Sequence, residues 1–219
     1  MLLLALDTAT PAVTVALHDG ERVLAEASRV DARRHGELLL PSVDRVLTEA
    51  GCRPADLTGV VVGVGPGPYT GLRVGLATAQ VLAFATGVPV HGVCSLDALA
   101  YATGLATPFV VATDARRREV YWARYTDART RVAGPAVDRP ADIAAEVAGL
   151  PAAGPGARLY ADTFTGVRED LPERLSAAAL AALAVERLAA GEELLPPRPL
   201  YLRRPDARVP AGYKAVTPR

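Results

Sequence analysis

Residues 59–93 limit the fold more than any other part of the chain. GVVVGVG, 59–65, is a continuous β-branched run suited to a strand covered on both faces. PGPYTG, 66–71, follows with two prolines and two glycines that force a tight turn. The pattern then predicts a helix over 71–86 and an apolar strand over 88–93. No Asp, Glu, Lys or Arg occurs between residues 74 and 93, a length that would cross a membrane. Gln80, the GVP at 87–89 and His91 divide it into a buried helix and a buried strand instead.

The flanking segments extend this α/β reading. An apolar run at 2–6 ends in Asp7-Thr8, and Val13, Val15 and Leu17 alternate with Thr14, Ala16 and His18 as far as Asp19-Gly20. The alternation resumes at Val23, which signals a hairpin with a two-residue turn. Leu39, Val43, Val46, Leu47 and Ala50 form a helical stripe from His35 to Gly51. A helix is expected around 96–102. The chain then starts again, with a strand over 108–114, a basic turn at 116–118 and a return strand over 120–125. Beyond these come a short helix near 141–147, a Pro/Gly-rich stretch PAAGPGA at 151–157, and an Ala-rich helix from about 173 to 190. LALDTAT and VVATDARRREVYWARY both open with a strand ending in Asp before a hairpin, which hints at two lobes of one architecture.

With 219 residues, 50% hydrophobic and 22% charged, the chain can build one large core or two small ones. Its 24 basic and 24 acidic residues balance, so the charge excludes tight, autonomous binding to nucleic acid. Lys214 is the sole lysine, and the Arg, Ala, Gly and Pro richness reads first as the coding bias of a GC-rich genome. Cys52 and Cys94 fit neither a disulfide framework nor a zinc spacing, and are expected as free, buried thiols of a cytoplasmic protein. The MLLLAL start lacks a basic n-region and is cut by Asp7, unlike a signal peptide.

Few residues suggest chemistry. The PGPYTG turn fits neither G-x-G-x-x-G nor a Walker A loop, in which Leu72-Arg73 would have to be Lys-Ser/Thr. A glycine turn feeding a helix N-terminus still offers N–H groups to an anion, which makes Gly67, Thr70 and Gly71 candidates beside Asp7 and Thr8. Asp7 could hold a hydrated magnesium over a phosphate, or simply cap nearby N–H groups. His18, His35 and His91 are dispersed, with Leu39 one turn after His35, so no metal-binding pair exists. No G-x-S-x-G nucleophile motif appears, and no residue is expected to be catalytic.

LALDTAT, RRHGELLLPSVDRVL, GVGPGPYTGLRVGLATAQVLA, SLDALA and DARRREVYWARY together resemble the TsaB family, the dimerisation subunit of the bacterial machinery that forms threonylcarbamoyladenosine in tRNA. The match runs from residue 1 to about 125 and resumes at PRPLYLRRPDA, 197–207. The resemblance implies an actin-like ATPase (ASKHA) fold of two lobes, each a mixed sheet of βββαβα order. It divides the chain into an N-terminal lobe at 1–103, a reduced C-terminal lobe at 104–204 and a loose tail at 205–219. It also implies a non-catalytic scaffold that pairs with a catalytic paralogue of the TsaD family. A small ATPase of the TsaE family and a threonylcarbamoyl-adenylate synthase of the TsaC family would complete the system. The chain would meet tRNA only through the complex and would have no membrane role. For the chain alone, the sequence leaves both a monomer and a homodimer open.

The catalytic paralogue carries two metal-binding histidines one helical turn apart, where this chain has His35 and Leu39. Pro155 in GPGA removes an N–H from what would be the second-lobe phosphate loop. The implied cofactor is therefore none of its own, with ATP or ADP and Mg at or near the partner interface. The competing class is a free-standing actin-like ATPase, phosphotransferase or peptidase. Two further expectations concern surfaces. The helices at 35–50 and 71–86 would meet the partner through Leu39, Val43, Val46, Leu47, Leu72, Leu76 and Ala79. The segment from Arg198, with Arg203, Arg204, Arg208, Lys214 and Arg219 against Asp206, would contact tRNA phosphates.

Overall fold

A computed structural model describes residues 1–203. The expected tail at 205–219, with Arg204, Asp206, Arg208, Lys214 and Arg219, lies outside the described residues.

Two five-stranded mixed sheets are built to the same plan. The first contains β1 (Leu3–Asp7), β2 (Ala12–His18), β3 (Val23–Val30), β4 (Gly59–Gly63) and β5 (Val90–Val93), in the order β3-β2-β1-β4-β5. The second contains β6 (Phe109–Asp114), β7 (Val120–Asp127), β8 (Thr130–Asp138), β9 (Pro151–Ala153) and β10 (Gly166–Val167), in the order β10-β9-β6-β7-β8. In each sheet the first strand is central. The next two strands pair antiparallel on one side of it, and the last two pair parallel on the other. The helices are α1 (His35–Glu49), α2 (Tyr69–Thr86) and α3 (Ser95–Thr103) in the first half. In the second half they are α4 (Ala144–Val147), α5 (Pro155–Leu159) and α6 (Ala177–Ala189). Each half thus runs βββαβαβα, one strand and one helix longer than the expected βββαβα, and this twofold order is the actin-like ATPase fold.

Burial explains the strand compositions. All five residues of β4 are buried, as its unbroken β-branched run requires. All seven residues of β2 are buried as well, although their apolar and polar types alternate. Val13, Val15 and Leu17 face the core shared with Leu39, Val43, Val46 and Leu47 of α1. On the other face Ala16 packs under α6, and the Thr14 hydroxyl accepts a hydrogen bond from the Ala177 N–H at 3.0 Å. The alternation therefore separates two covered faces rather than a covered face from a wet one.

The last helix of each half covers the other half's sheet. Leu180, Ala181, Leu183 and Ala184 of α6 pack on Leu3, Ala5, Ala16 and Val61 of the first sheet. Leu96, Leu99 and Ala100 of α3 pack on Phe109, Val111, Ala123 and Tyr125 of the second. Buried between the halves, the Asp97 carboxylate of α3 accepts from the Tyr125 hydroxyl at 2.9 Å and from Arg131 at 2.8 Å. The Arg187 guanidinium of α6 lies 3.5 Å from its second oxygen.

Local departures from the sequence reading have physical reasons. The first hairpin turns through four residues, 19–22, because the Asp19 carboxylate accepts from the N–H groups of Glu21 and Arg22 at 2.8 Å each. A register shift at Leu17/His18 accompanies the longer loop. Residues 151–157 are not a loop but β9 followed by the start of α5. Gly154 takes φ 96° between them, and Pro155 occupies the first helical turn, where its missing N–H costs nothing. Cys94 is buried and Cys52 half-buried, both free. Among the described residues no helix is long and apolar enough to cross a membrane.

Candidate functional site

A cleft of about 570 Å³ opens where the two halves meet. Thr8, Thr10 and Pro11 line it from the loop after β1, and Thr70, Gly71 and Val74 from the start of α2. Arg33 and His35 come from the entry to α1, Asp114 and Arg116 from the turn after β6, and Pro155 and Leu159 from α5. The two corresponding hairpins, one per sheet, thus face each other across it.

Of the five candidate anion-binding residues, Thr8, Thr70 and Gly71 line the cleft, whereas Asp7 and Gly67 lie behind it. The Asp7 carboxylate is completely buried. One oxygen accepts from the Ala9 N–H at 2.7 Å and the other from the Ser95 hydroxyl at 2.5 Å. The Gly65 N–H donates to the Ser95 oxygen at 3.1 Å, closing a chain of bonds from β1 to the start of α3. Burial pushes the Asp7 pKa up to about 6, against the pull of these hydrogen bonds and of His35. A methyl group on Gly63 would collide with this carboxylate, so the strand beside it must be glycine there.

The Thr8 hydroxyl is equally committed, donating to the Gly71 carbonyl at 2.7 Å and accepting from the Gly75 N–H at 3.1 Å. That bond draws α2 against the loop so closely that a Cβ on Gly71 would stand 2.5 Å from the Thr8 carbonyl oxygen. Helix α2 is therefore pinned to the loop at Thr8, while Thr8, Thr10 and Pro11 still border the cleft. Asp7 does not present itself to a magnesium nucleotide, since its carboxylate is completely buried and does not line the cleft, and the Thr8 hydroxyl is bonded within the protein. Of the two roles open to Asp7 in the sequence, the geometry supports the turn cap.

The histidines are also placed. His35 Nε2 donates to the Thr10 carbonyl at 2.8 Å, which ties α1 to the cleft loop. Leu39, one turn later, points into the core with 1% exposure. His18 Nδ1 accepts from the Gly20 N–H at 3.0 Å, and burial lowers its pKa. Among the described residues no group of three His, Cys, Asp or Glu side chains could hold a metal.

The seven residues chosen for the partner surface need correction. Leu39, Val43, Val46, Leu47, Leu72, Leu76 and Ala79 are all buried in the first core, none more than 5% exposed. The stripe with helical period is the stripe each helix lays on its own sheet. Apolar groups do remain on the outer faces: Leu40 on α1, with Tyr69, Val81 and Phe84 on α2. Phe84 is 92% exposed. Those on α2 were missed because a nearly apolar helix has no polar face by which its outer side can be recognised in the sequence.

The segment before the tail is firmly packed. Leu195 pairs with Gly92, the Leu200 N–H donates to the Val64 carbonyl at 2.8 Å, and Gln80 holds the Pro197 carbonyl at 3.2 Å. Arg203, expected as a phosphate contact, instead forms an ion pair with Glu119 and donates to the Ala115 carbonyl at 2.8 Å.

The family model for TsaD, tRNA N6-adenosine threonylcarbamoyltransferase, matches residues 23–190. An uncharacterised protein of Mycobacterium tuberculosis is 50% identical over 212 residues, covering 94% of this chain and 93% of that protein. The Escherichia coli tRNA threonylcarbamoyladenosine biosynthesis protein TsaB is 40% identical over 128 residues, 57% of this chain and 55% of that protein. The solved structure of YeaZ from Pseudomonas aeruginosa superimposes with a TM-score of 0.74 at 33% identity, covering 92% of this chain and 99% of that one. The family model, the TsaB relative and the full-length match to YeaZ together show that this chain belongs to the TsaB family.

Proposed function

We propose that this chain is a non-catalytic scaffold and activating subunit in tRNA threonylcarbamoyladenosine biosynthesis. Its partner would be a TsaD-family threonylcarbamoyltransferase, with a TsaE-family ATPase and a TsaC-family synthase completing the system. The modified base would lie next to the anticodon of tRNAs reading codons that begin with A, in the cytoplasm. One observation carries the reading: the places where chemistry would be sought are spent on structure. Leu39 fills the core where a second histidine would be needed, and Asp7 and Thr8 bond to the chain's own backbone and to Ser95. A surface suited to a protein partner is the outer face of α1 and α2, on which Leu40, Val81 and Phe84 stand exposed.

The test is reconstitution. Purified chain alone should neither hydrolyse ATP nor modify tRNA, and modification by the transferase, ATPase and synthase should require it. Turnover by the chain alone that disappears in Asp7→Ala would replace the scaffold reading with an enzyme.

A further inference from the structure

At the rim of the cleft, the turn between β6 and β7 is built from three consecutive arginines in a left-handed backbone conformation. Arg116, Arg117 and Arg118 have φ 62°, 55° and 61°. That region disfavours side chains, and a turn selected only for its shape would carry Gly or Asn there. Genomic preference for arginine explains Arg in place of Lys, but not Arg in place of Gly. The conformation is held from several sides. Asp114 accepts from the Arg116 N–H at 2.8 Å, the Ala115 N–H donates to the Glu119 carbonyl and the Glu119 N–H to the Arg116 carbonyl, each at 3.0 Å, and Arg203 clasps the carbonyls of Ala115 and Arg116. Strain of this kind persists only where the surroundings over-determine it, and it points to use of the side chains.

The strap that carries Arg203 also carries Tyr201, whose ring stacks on Tyr69 with centroids 5.1 Å apart. The Arg73 guanidinium lies 3.8 Å from the Tyr69 centroid. Tyr69 sits between Pro68 and Thr70, which line the cleft opposite Arg116. Tyr69 and Tyr201 remain 50% and 41% exposed. Neither Arg73 nor Arg118 forms an ion pair with a carboxylate among the described residues. Exposed aromatic rings on fixed backbone, interleaved with guanidinium groups, have the chemistry of a single-stranded nucleic acid platform. Bases stack on the rings and phosphates meet the cations.

We propose that Tyr69, Arg73 and Tyr201, with the Arg116–Arg118 turn, form a contact for unpaired RNA, in which a base extends the stack on Tyr201 and phosphates lie on the arginines. A protein of balanced charge would bind weakly through so small a platform, which suits a surface that acts only once a partner holds the RNA. The proposal rests on the tRNA reading above and gives it a location.

Two measurements separate the failure of one from the failure of the other. In the first, a short oligouridylate containing 4-thiouridine is photocrosslinked to the full chain alone at low salt. Crosslinks at Tyr69 or Tyr201 are expected, and their absence there overturns the platform whatever the chain's wider role. In the second, the assembled complex is titrated with unmodified tRNA over a range of salt concentrations. Tyr201→Ala should weaken binding by roughly tenfold, while Tyr201→Phe should retain it. Arg118→Gly relaxes the turn, so the chain should unfold at equal or higher temperature while the salt slope for tRNA falls by about one. Unchanged tRNA affinity in both Tyr201→Ala and Arg118→Gly overturns the proposal. Weakened pairing with the transferase at unchanged RNA affinity overturns it too, and assigns the rim to protein docking. A wild-type chain that forms no complex but crosslinks at the tyrosines overturns the scaffold reading alone.

Discussion

Asp7 shows how a residue placed to bind a ligand can be held in bonds to its own chain. Its strand-end position is the one from which a carboxylate could reach a ligand, yet Ser95 and Ala9 occupy both oxygens. Because burial raises its pKa to about 6 from an ordinary 3.8, the folded chain holds this proton more tightly than the unfolded chain does. The resulting stabilisation is complete below about pH 4 and is lost as pH rises through about 6, a change on the order of 3 kcal/mol. In Asp7→Asn this contribution should vanish. Urea unfolding of wild type and variant at pH 4 and pH 7.5 should give a stability difference that shifts in the variant's favour at the higher pH. A difference independent of pH would mean that Asp7 binds its proton equally well in the folded and the unfolded chain. The sequence displayed Asp7, Thr8 and the glycines clearly, but not their partners. Ser95 lies 88 residues from Asp7, and nothing local in either segment encodes that bond.

At the scale of elements, the core strands and long helices were legible because a single periodicity governs each. The helix expected at 35–50 is α1 at His35–Glu49, and that expected at 71–86 is α2 at Tyr69–Thr86. β8, β9 and β10 were not legible. β8 is a largely half-exposed strand carrying Gly134-Pro135, and the other two are three and two residues long, so none presents enough period to be read. The faces of α1 and α2 give a direct test. Leu72→Ala removes a fully buried side chain and should cost about 2–5 kcal/mol in denaturant unfolding. Val81→Asp with Phe84→Asp changes only exposed positions and should leave stability within about 0.5 kcal/mol. The same pair should prevent co-purification with the transferase if the outer face of α2 is the partner surface. A retained complex would move that surface elsewhere.

Across the whole molecule, the Asp97 carboxylate joins elements that no continuous stretch of chain unites: α3, the strands β7 and β8, and α6. Removing one member of a buried charge cluster leaves the others unpaired, at a cost of about 3–5 kcal/mol. Arg131 and Arg187 keep 30% and 23% side-chain exposure, so Asp97→Ala should fall near or below the lower end of that range. Trp122, the sole tryptophan, reports on the second sheet, while circular dichroism reports on both halves. In the wild-type chain the two signals should change at the same urea concentration, and in Asp97→Ala both midpoints should fall together. Separate midpoints in wild type would show that the halves are held only loosely.

The exchange of α3 and α6 between the halves also bears on how such a chain can arise and be divided. A single copy of the βββαβαβα plan, made alone, would leave one face of its sheet bare and its last helix without a surface to lie on. Two copies would satisfy each other by trading helices, as in a swapped dimer, and fusing their genes would make that trade permanent. In the present protein neither half is a self-sufficient unit, and a cut between α3 and β6 would yield two fragments whose missing surfaces are found on each other.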